Sequence, residues 1–113
     1  VTRHPWPVDA AAAVIAINLL HIAPWTVTRE LLRGAAAILP AGGPLVLYGP
    51  FRQAGRPTAA SNEAFDMSLK ARDPRWGLRD LERVSQAAAD CGFEPERVVD
   101  MPANNLTVVL RRS

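Results

Sequence analysis

The sequence predicts an α/β fold: a parallel βαβ unit followed by a closing antiparallel hairpin, with about four strands and three helices. Three observations carry this. Two short apolar runs, Ala13–Asn18 and Pro44–Gly49, flank a stretch with apolar residues at helical spacing. Strand, helix, strand with short links makes a right-handed crossover between parallel strands. A further amphipathic stretch then ends at Gly92 and leads into two β-type runs, Arg97–Met101 and Asn105–Arg111. Only Pro102-Ala103-Asn104 separates these runs. So short a link cannot make a crossover, and the two strands must pair antiparallel.

Taken in order, residues 1–12 read as a linker, because Pro5 and Pro7 fix φ and disfavour helix in the residues before them. With no initiator Met and a strand following at once, the chain is expected to be cut from something longer. His4 and Trp6 are expected to pack on the domain edge. The run Ala13-Val14-Ile15-Ala16-Ile17 reads as a strand buried on both faces. Asn18, Leu19, His21 and Trp25 follow just past its carboxyl end, where open α/β sheets place their ligands. Thr26 or Thr28 is expected to cap a helix running to about Leu39, with Leu31, Leu32, Ala35, Ala36 and Leu39 on its apolar face. Pro40-Ala41-Gly42-Gly43 ends it and turns the chain into the second strand.

Residues 50–77 form an excursion longer than a simple link needs, and such segments often wall a site. Ser61 is expected to cap a second helix with Ala64, Phe65, Ser68 and Leu69 on one side, ended by Asp73-Pro74. Arg52, Asn62, Glu63, Asp66, Arg72 and Arg75 are its polar residues, each alone read first as solvated surface. Leu78 to Cys91 reads as a third helix with Leu78, Leu81, Val84 and Ala88 inward, and Gly92 as its left-handed stop. Asn104 and Asn105 are expected to shape the hairpin turn.

Composition narrows the function class. The 113 residues suffice for one small domain with one core. A net charge of +2 gives no strong argument for nucleic acid or an anionic membrane. The lone Cys91 excludes an internal disulfide and a cysteine-based zinc cage, and fits a reducing, cytoplasmic compartment. The uncharged run from Ala10 to Thr28 is interrupted by Asn18, His21 and Pro24, so its best apolar part is too short to span a membrane. The first residues show neither the basic start nor the apolar core of a signal peptide. Glycine-rich nucleotide loops, a nucleophile elbow and metal-binding histidine pairs are all absent from the sequence.

Leu39-Pro40-Ala41-Gly42-Gly43-Pro44-Leu45-Val46-Leu47 resembles the turn before the fifth strand of class I S-adenosylmethionine (SAM)-dependent methyltransferases. The ending through Cys91-Gly92-Phe93 and two closely linked strands resembles their closing sixth and seventh strands. Several motifs resemble, more narrowly, the methyltransferase-like family called domain of unknown function 938. They are Asn18-Leu19-Leu20-His21-Ile22-Ala23-Pro24-Trp25, Tyr48-Gly49-Pro50-Phe51, Ser61-Asn62 with Phe65-Asp66, Asp73 to Asp80, and Asp100 to Asn105. The resemblance implies the C-terminal half of a Rossmann-like methyltransferase fold. The glycine-rich loop and ribose-binding acid of the N-terminal, cofactor-binding half are absent.

From that resemblance the parent protein is expected to transfer a methyl group from SAM to an unknown acceptor, and this chain alone to be incomplete for cofactor binding. Asn18 and Leu19 would touch the cofactor. His21, whose reference pKa suits proton transfer near neutrality, would be the base, against the equal reading of a polar residue satisfied at a helix entry. Tyr48 would assist at the reacting centre. Arg52, Asn62, Asp66, Arg75 and Trp76 would contact the acceptor. The alternative is a non-catalytic half-domain that self-associates as a homodimer through the bare edge of its first strand. An RNA-binding role, resting on Arg72, Arg75, Arg79 and Arg83, ranks last.

Overall fold

The computed structural model describes residues 12–54 and 56–113. The expected linker, with His4 and Trp6, lies outside the described residues but for Ala12. The chain runs through β1 (Val14–Ile17), a 3-10 turn (Leu20–Ile22), α1 (Trp25–Ile38), β2 (Pro44–Gly49), β3 (Phe51–Arg52), α2 (Ala60–Arg72), β4 (Arg79–Asp80), α3 (Leu81–Asp90), β5 (Phe93–Met101) and β6 (Asn105–Arg112). The main sheet has the order β1-β2-β6-β5. β1 and β2 are parallel, and β6 is antiparallel to both β2 and β5. This is the expected βαβ unit closed by a hairpin, with the last strand inserted at the centre.

Burial explains the arrangement. Ala16, Leu45, Leu47, Leu106, Val108 and Leu110 point to one side of the sheet and pack against Leu31, Leu32 and Ala35 of α1 and Leu81, Val84 and Ala88 of α3. Each buried leucine contributes about 1.5–3 kcal/mol of transfer free energy. The opposite side carries Ile15, Val46 and Val109 in one register row and Ile17, Tyr48 and Thr107 in the next. These residues remain half-buried or exposed, so β1 is buried on one face only and not on both as its apolar run suggests, because no helix among the described residues covers that side.

Local details differ from expectation where packing overrides propensity. α1 starts directly after Pro24, without a side-chain cap, so Thr26 and Thr28 lie inside the helix. α2 starts after Ala59, also uncapped, and Ser61 is internal. Its buried face is Asn62, Asp66 and Leu69, while Phe65 is 41% exposed. Of the four residues expected inward, only Leu69 is buried, because this helix docks through polar partners. α3 starts at Leu81, not Leu78, because Arg79 and Asp80 pair with Phe51 and Arg52 as a two-residue parallel bridge. β5 begins already at Phe93, with an irregularity between Pro95 and Arg97 where proline lacks an N–H for the ladder. Ala103 (φ 61°) and Asn104 (φ 60°) take the left-handed backbone that reverses the chain between β5 and β6. Among the described residues, no helix is long and apolar enough to cross a membrane.

Candidate functional site

The carboxyl ends of β1 and β2 and the segments that follow them form one polar cluster. The chain leaves β1 at Asn18, whose N–H donates to the Tyr48 carbonyl at 2.8 Å. Asn18 is left-handed (φ 51°), a conformation its short amide side chain tolerates. This bend brings Leu19 against the core and turns His21 inward, to 6% exposure. The imidazole packs at a 60° tilt against Phe65 of α2, ring centroids 5.5 Å apart. A Cβ at Gly49 would lie 3.5 Å from both His21 Nδ1 and Asn18 Oδ1, so both side chains border the end of β2. Burial, and then the charge of Arg79, hold the His21 pKa below 6.5. Both effects favour the uncharged ring, the form able to accept a proton.

Three consecutive residues hold this turn and α2 together. Gly77 N–H donates to the His21 carbonyl at 3.0 Å. Leu78 N–H donates to Asp66 Oδ1 at 2.8 Å. Arg79 donates through Nε to the Leu20 carbonyl at 3.1 Å, and through Nη2 to the carbonyls of Ala23 and Arg75. The approach is so close that a Cβ at Gly77 would lie 2.8 Å from Asp66 Oδ1. Asp66 also accepts from Lys70 Nζ at 2.8 Å and Arg52 Nη2 at 3.1 Å. Burial alone would push its carboxyl pKa up, but these donors together hold it below the ordinary value. Arg52 further binds Glu63 and Thr58, which fixes the start of the excursion on α2.

The remaining sequence-derived candidates are spread more widely. Tyr48 lies on the sheet face away from α1 and α3, and its hydroxyl oxygen accepts from Asn105 Nδ2 at 3.4 Å. Asn62 donates to the Asn104 carbonyl at 3.2 Å and lines a cleft of about 100 Å³ with Thr58, Gln53 and Asp100. Arg75 is drawn outward by a two-pronged pair with Asp73, in an exposed turn that also holds half-buried Trp76. The structure thus places Asn18 and His21 beside Gly49, joins Arg52 with Asp66, and leaves Arg75 at the margin. Sequence reasoning missed Gly49, Gly77 and the organising part of Arg79. The available signal was the spacing Gly77-Leu78-Arg79 beside an excursion rich in carboxylates. Among the described residues, no group of three His, Cys, Asp or Glu side chains could hold a metal ion.

The fold has many solved counterparts. The human N-acetylserotonin methyltransferase in complex with SAM superposes with a TM-score of 0.83 at 14% identity, over 99% of this chain and 32% of that one. An O-methyltransferase family protein from Burkholderia thailandensis gives 0.77 at 20% identity, over 93% and 31%. LepI in complex with SAM gives 0.80 at 16% identity, over 96% and 28%. The chain thus has the architecture of the methyltransferase fold and spans about a third of the length of these structures. The family model for a protein of unknown function, domain of unknown function 938, matches residues 1–112, and the chain belongs to that family.

Proposed function

We propose that this chain is the acceptor-side portion of a SAM-dependent methyltransferase, with His21 as general base toward an acceptor that must lose a proton. The observation that carries the reading is a buried imidazole at the carboxyl edge of a methyltransferase-fold sheet, beside the bare Gly49, where burial and the charge of Arg79 lower its pKa. Asn18 offers an exposed amide on left-handed backbone just past β1, and with Leu19 it suits one wall of a cofactor site. The glycine-rich turn for the rest of that site is not in this sequence. SAM, when bound, supplies an electrophilic methyl group. His21 then takes the acceptor proton. Arg52 and Asp66, bonded to one another, keep the outer wall in place with Asn62, and Arg75 and Trp76 are its outermost contacts.

Calorimetric titration with S-adenosylhomocysteine tests the cofactor half. Saturable binding near one per chain is expected of the full-length protein, and its absence there overturns the reading. His21→Ala should keep that binding but slow methyl transfer by about 10²–10⁴-fold. The wild-type rate should fall with acid below pH 6.5, as the base becomes protonated. An unchanged rate in the variant removes His21 from the chemistry.

Self-association is a second reading, supported by Ile15 and Ile17, each 64% exposed on the sheet's edge strand. β1 has no outer strand neighbour among the described residues. A second copy pairing along β1 would cover that edge. Light scattering should then show a dimer that Ile15→Lys dissociates, and a monomer at high concentration rejects it.

A further inference from the structure

We propose that Arg79 is a positioning residue for His21, clamping the turn that carries it; this rests on His21 being the base. The turn is only three residues long, without a side-chain cap, and Ile22 N–H to the Leu19 carbonyl, at 3.2 Å, is the backbone bond that closes it. Such short 3-10 pieces have poor internal hydrogen-bond geometry, so the direction of the imidazole must be set from outside.

Among the described residues, the hydrogen bonds that reach the turn's carbonyls from outside come from one segment. Within four consecutive residues, the carbonyls of Leu20, His21 and Ala23 each accept a bond from the segment 77–79. Arg79 supplies two of these bonds with one guanidinium, whose rigid planar fork addresses two carbonyls at once. A lysine ammonium is a point donor on a flexible stem and does not reproduce this.

The manner of binding is informative. Guanidinium groups ordinarily seek carboxylates. The side-chain bonds Arg79 makes among the described residues go to three neutral main-chain carbonyls, in a half-buried position where desolvation and then the neighbouring Arg83 oppose its charge and Asp66 only partly offsets them. Its backbone is fixed opposite Phe51 in the β3–β4 pair, and its guanidinium lies 6.0 Å from the centre of the Trp25 ring. Through Leu78 and Asp66 the same segment grips α2, whose Phe65 contacts the imidazole. The base and the acceptor wall are therefore one mechanical unit, with Arg79 as its fastening.

The test uses histidine ring carbon–proton resonances of the full-length protein, with the His21→Gln spectrum assigning the signal. Arg79→Lys retains the charge and loses the fork. It should displace the His21 resonance and lower kcat about tenfold, with KM for SAM unchanged. Arg79→Gln also loses the charge; it should lower kcat about 100-fold and let His21 titrate at higher pH. Arg83→Gln, which removes the guanidinium 4.0 Å from the centre of the Trp25 ring, should leave the resonance and kcat at wild-type values. Folded Arg79 variants with a wild-type His21 signal overturn the proposal. So does an Arg83→Gln shift as large as that of Arg79→Lys, since the effect would then not be specific to the fork of Arg79. If Arg79→Gln does not fold, Arg79→Lys carries the test. If His21→Gln retains methyl transfer, the base assignment fails, while the resonance shift still reports whether Arg79 holds the turn.

Discussion

Leu47 and Asp66 are both withdrawn from water, at 1% and 4% exposure, yet they hold the molecule together by different physics. Leu47 sits at mid-sheet under α1 and α3, where any well-shaped apolar neighbour serves. Asp66 sits at the carboxyl edge and is held by four partners of fixed geometry: Arg52, Lys70 and the Leu78 N–H as donors, and Gly77 as the residue that leaves room. One region is specified by area, the other by direction. A site that must aim a base needs the second kind of order, because dispersion and burial are nearly indifferent to angle whereas hydrogen bonds are not.

The largest effect is expected in the core. Leu47→Ala removes a side chain with almost no freedom to be replaced by water and leaves a cavity. Urea unfolding should show a loss of about 3–4 kcal/mol, with S-adenosylhomocysteine binding by the surviving folded fraction unchanged. A loss below about 1 kcal/mol would mean that the sheet relaxes into the space and that the helix-covered face is not the stabilising side.

At the edge the effect is smaller and depends on pH. Asp66→Asn keeps an acceptor for Leu78 but removes the charge that binds Arg52 and Lys70, which should cost about 2 kcal/mol at neutral pH. The folded Asp66 pKa lies below the ordinary 3.8, so its contribution is fully present above that pH and is lost as the pH falls through the folded value. The wild type should therefore lose stability more steeply than Asp66→Asn below about pH 4. His21 contributes with the same sign in a separate window. Its pKa is also depressed, so stability present above 6.5 is lost as pH falls toward its folded value. Parallel acid-unfolding curves for wild type and Asp66→Asn would show that the carboxylate is not selectively held.

The same contrast explains what could be read from the sequence. α1 and the hairpin were legible because area leaves a periodic trace: Leu31, Leu32 and Ala35 recur at helical spacing, and Leu106, Val108 and Leu110 alternate; β1 and β2 were legible as short apolar runs, though an apolar run hides that Ile15 and Ile17 face outward. α2 was legible as a helix but not in orientation. Its inward residues, Asn62 and Asp66, look like solvent-facing ones until their partners are known. Those partners lie far along the chain, at Asn104 and Leu78. Arg79 was hidden for the same reason: its bonds reach back 59 and 56 residues, to Leu20 and Ala23. His21 and Asn18 stood out because polar groups closing an apolar strand are unusual whatever surrounds them.

Thr28 sharpens the contrast from the other direction, because it places a polar atom on the side governed by area. It is fully buried within α1, and its Oγ1 is the one wholly buried side-chain oxygen or nitrogen without a hydrogen-bond partner among the described residues. Valine has nearly the same shape and the same β-branched restriction in a helix, so Thr28→Val exchanges the hydroxyl for a methyl group with little change in packing. Removing an unsatisfied buried hydroxyl should stabilise the fold by about 1 kcal/mol, raising Tm by about 4–8 °C for a domain of this size. Destabilisation would show that the hydroxyl finds a partner in solution, the carbonyl one turn back at Pro24 being the obvious acceptor. The helix-covered face would then depend on direction as well as area, and α1 would be tied to the proline that starts it.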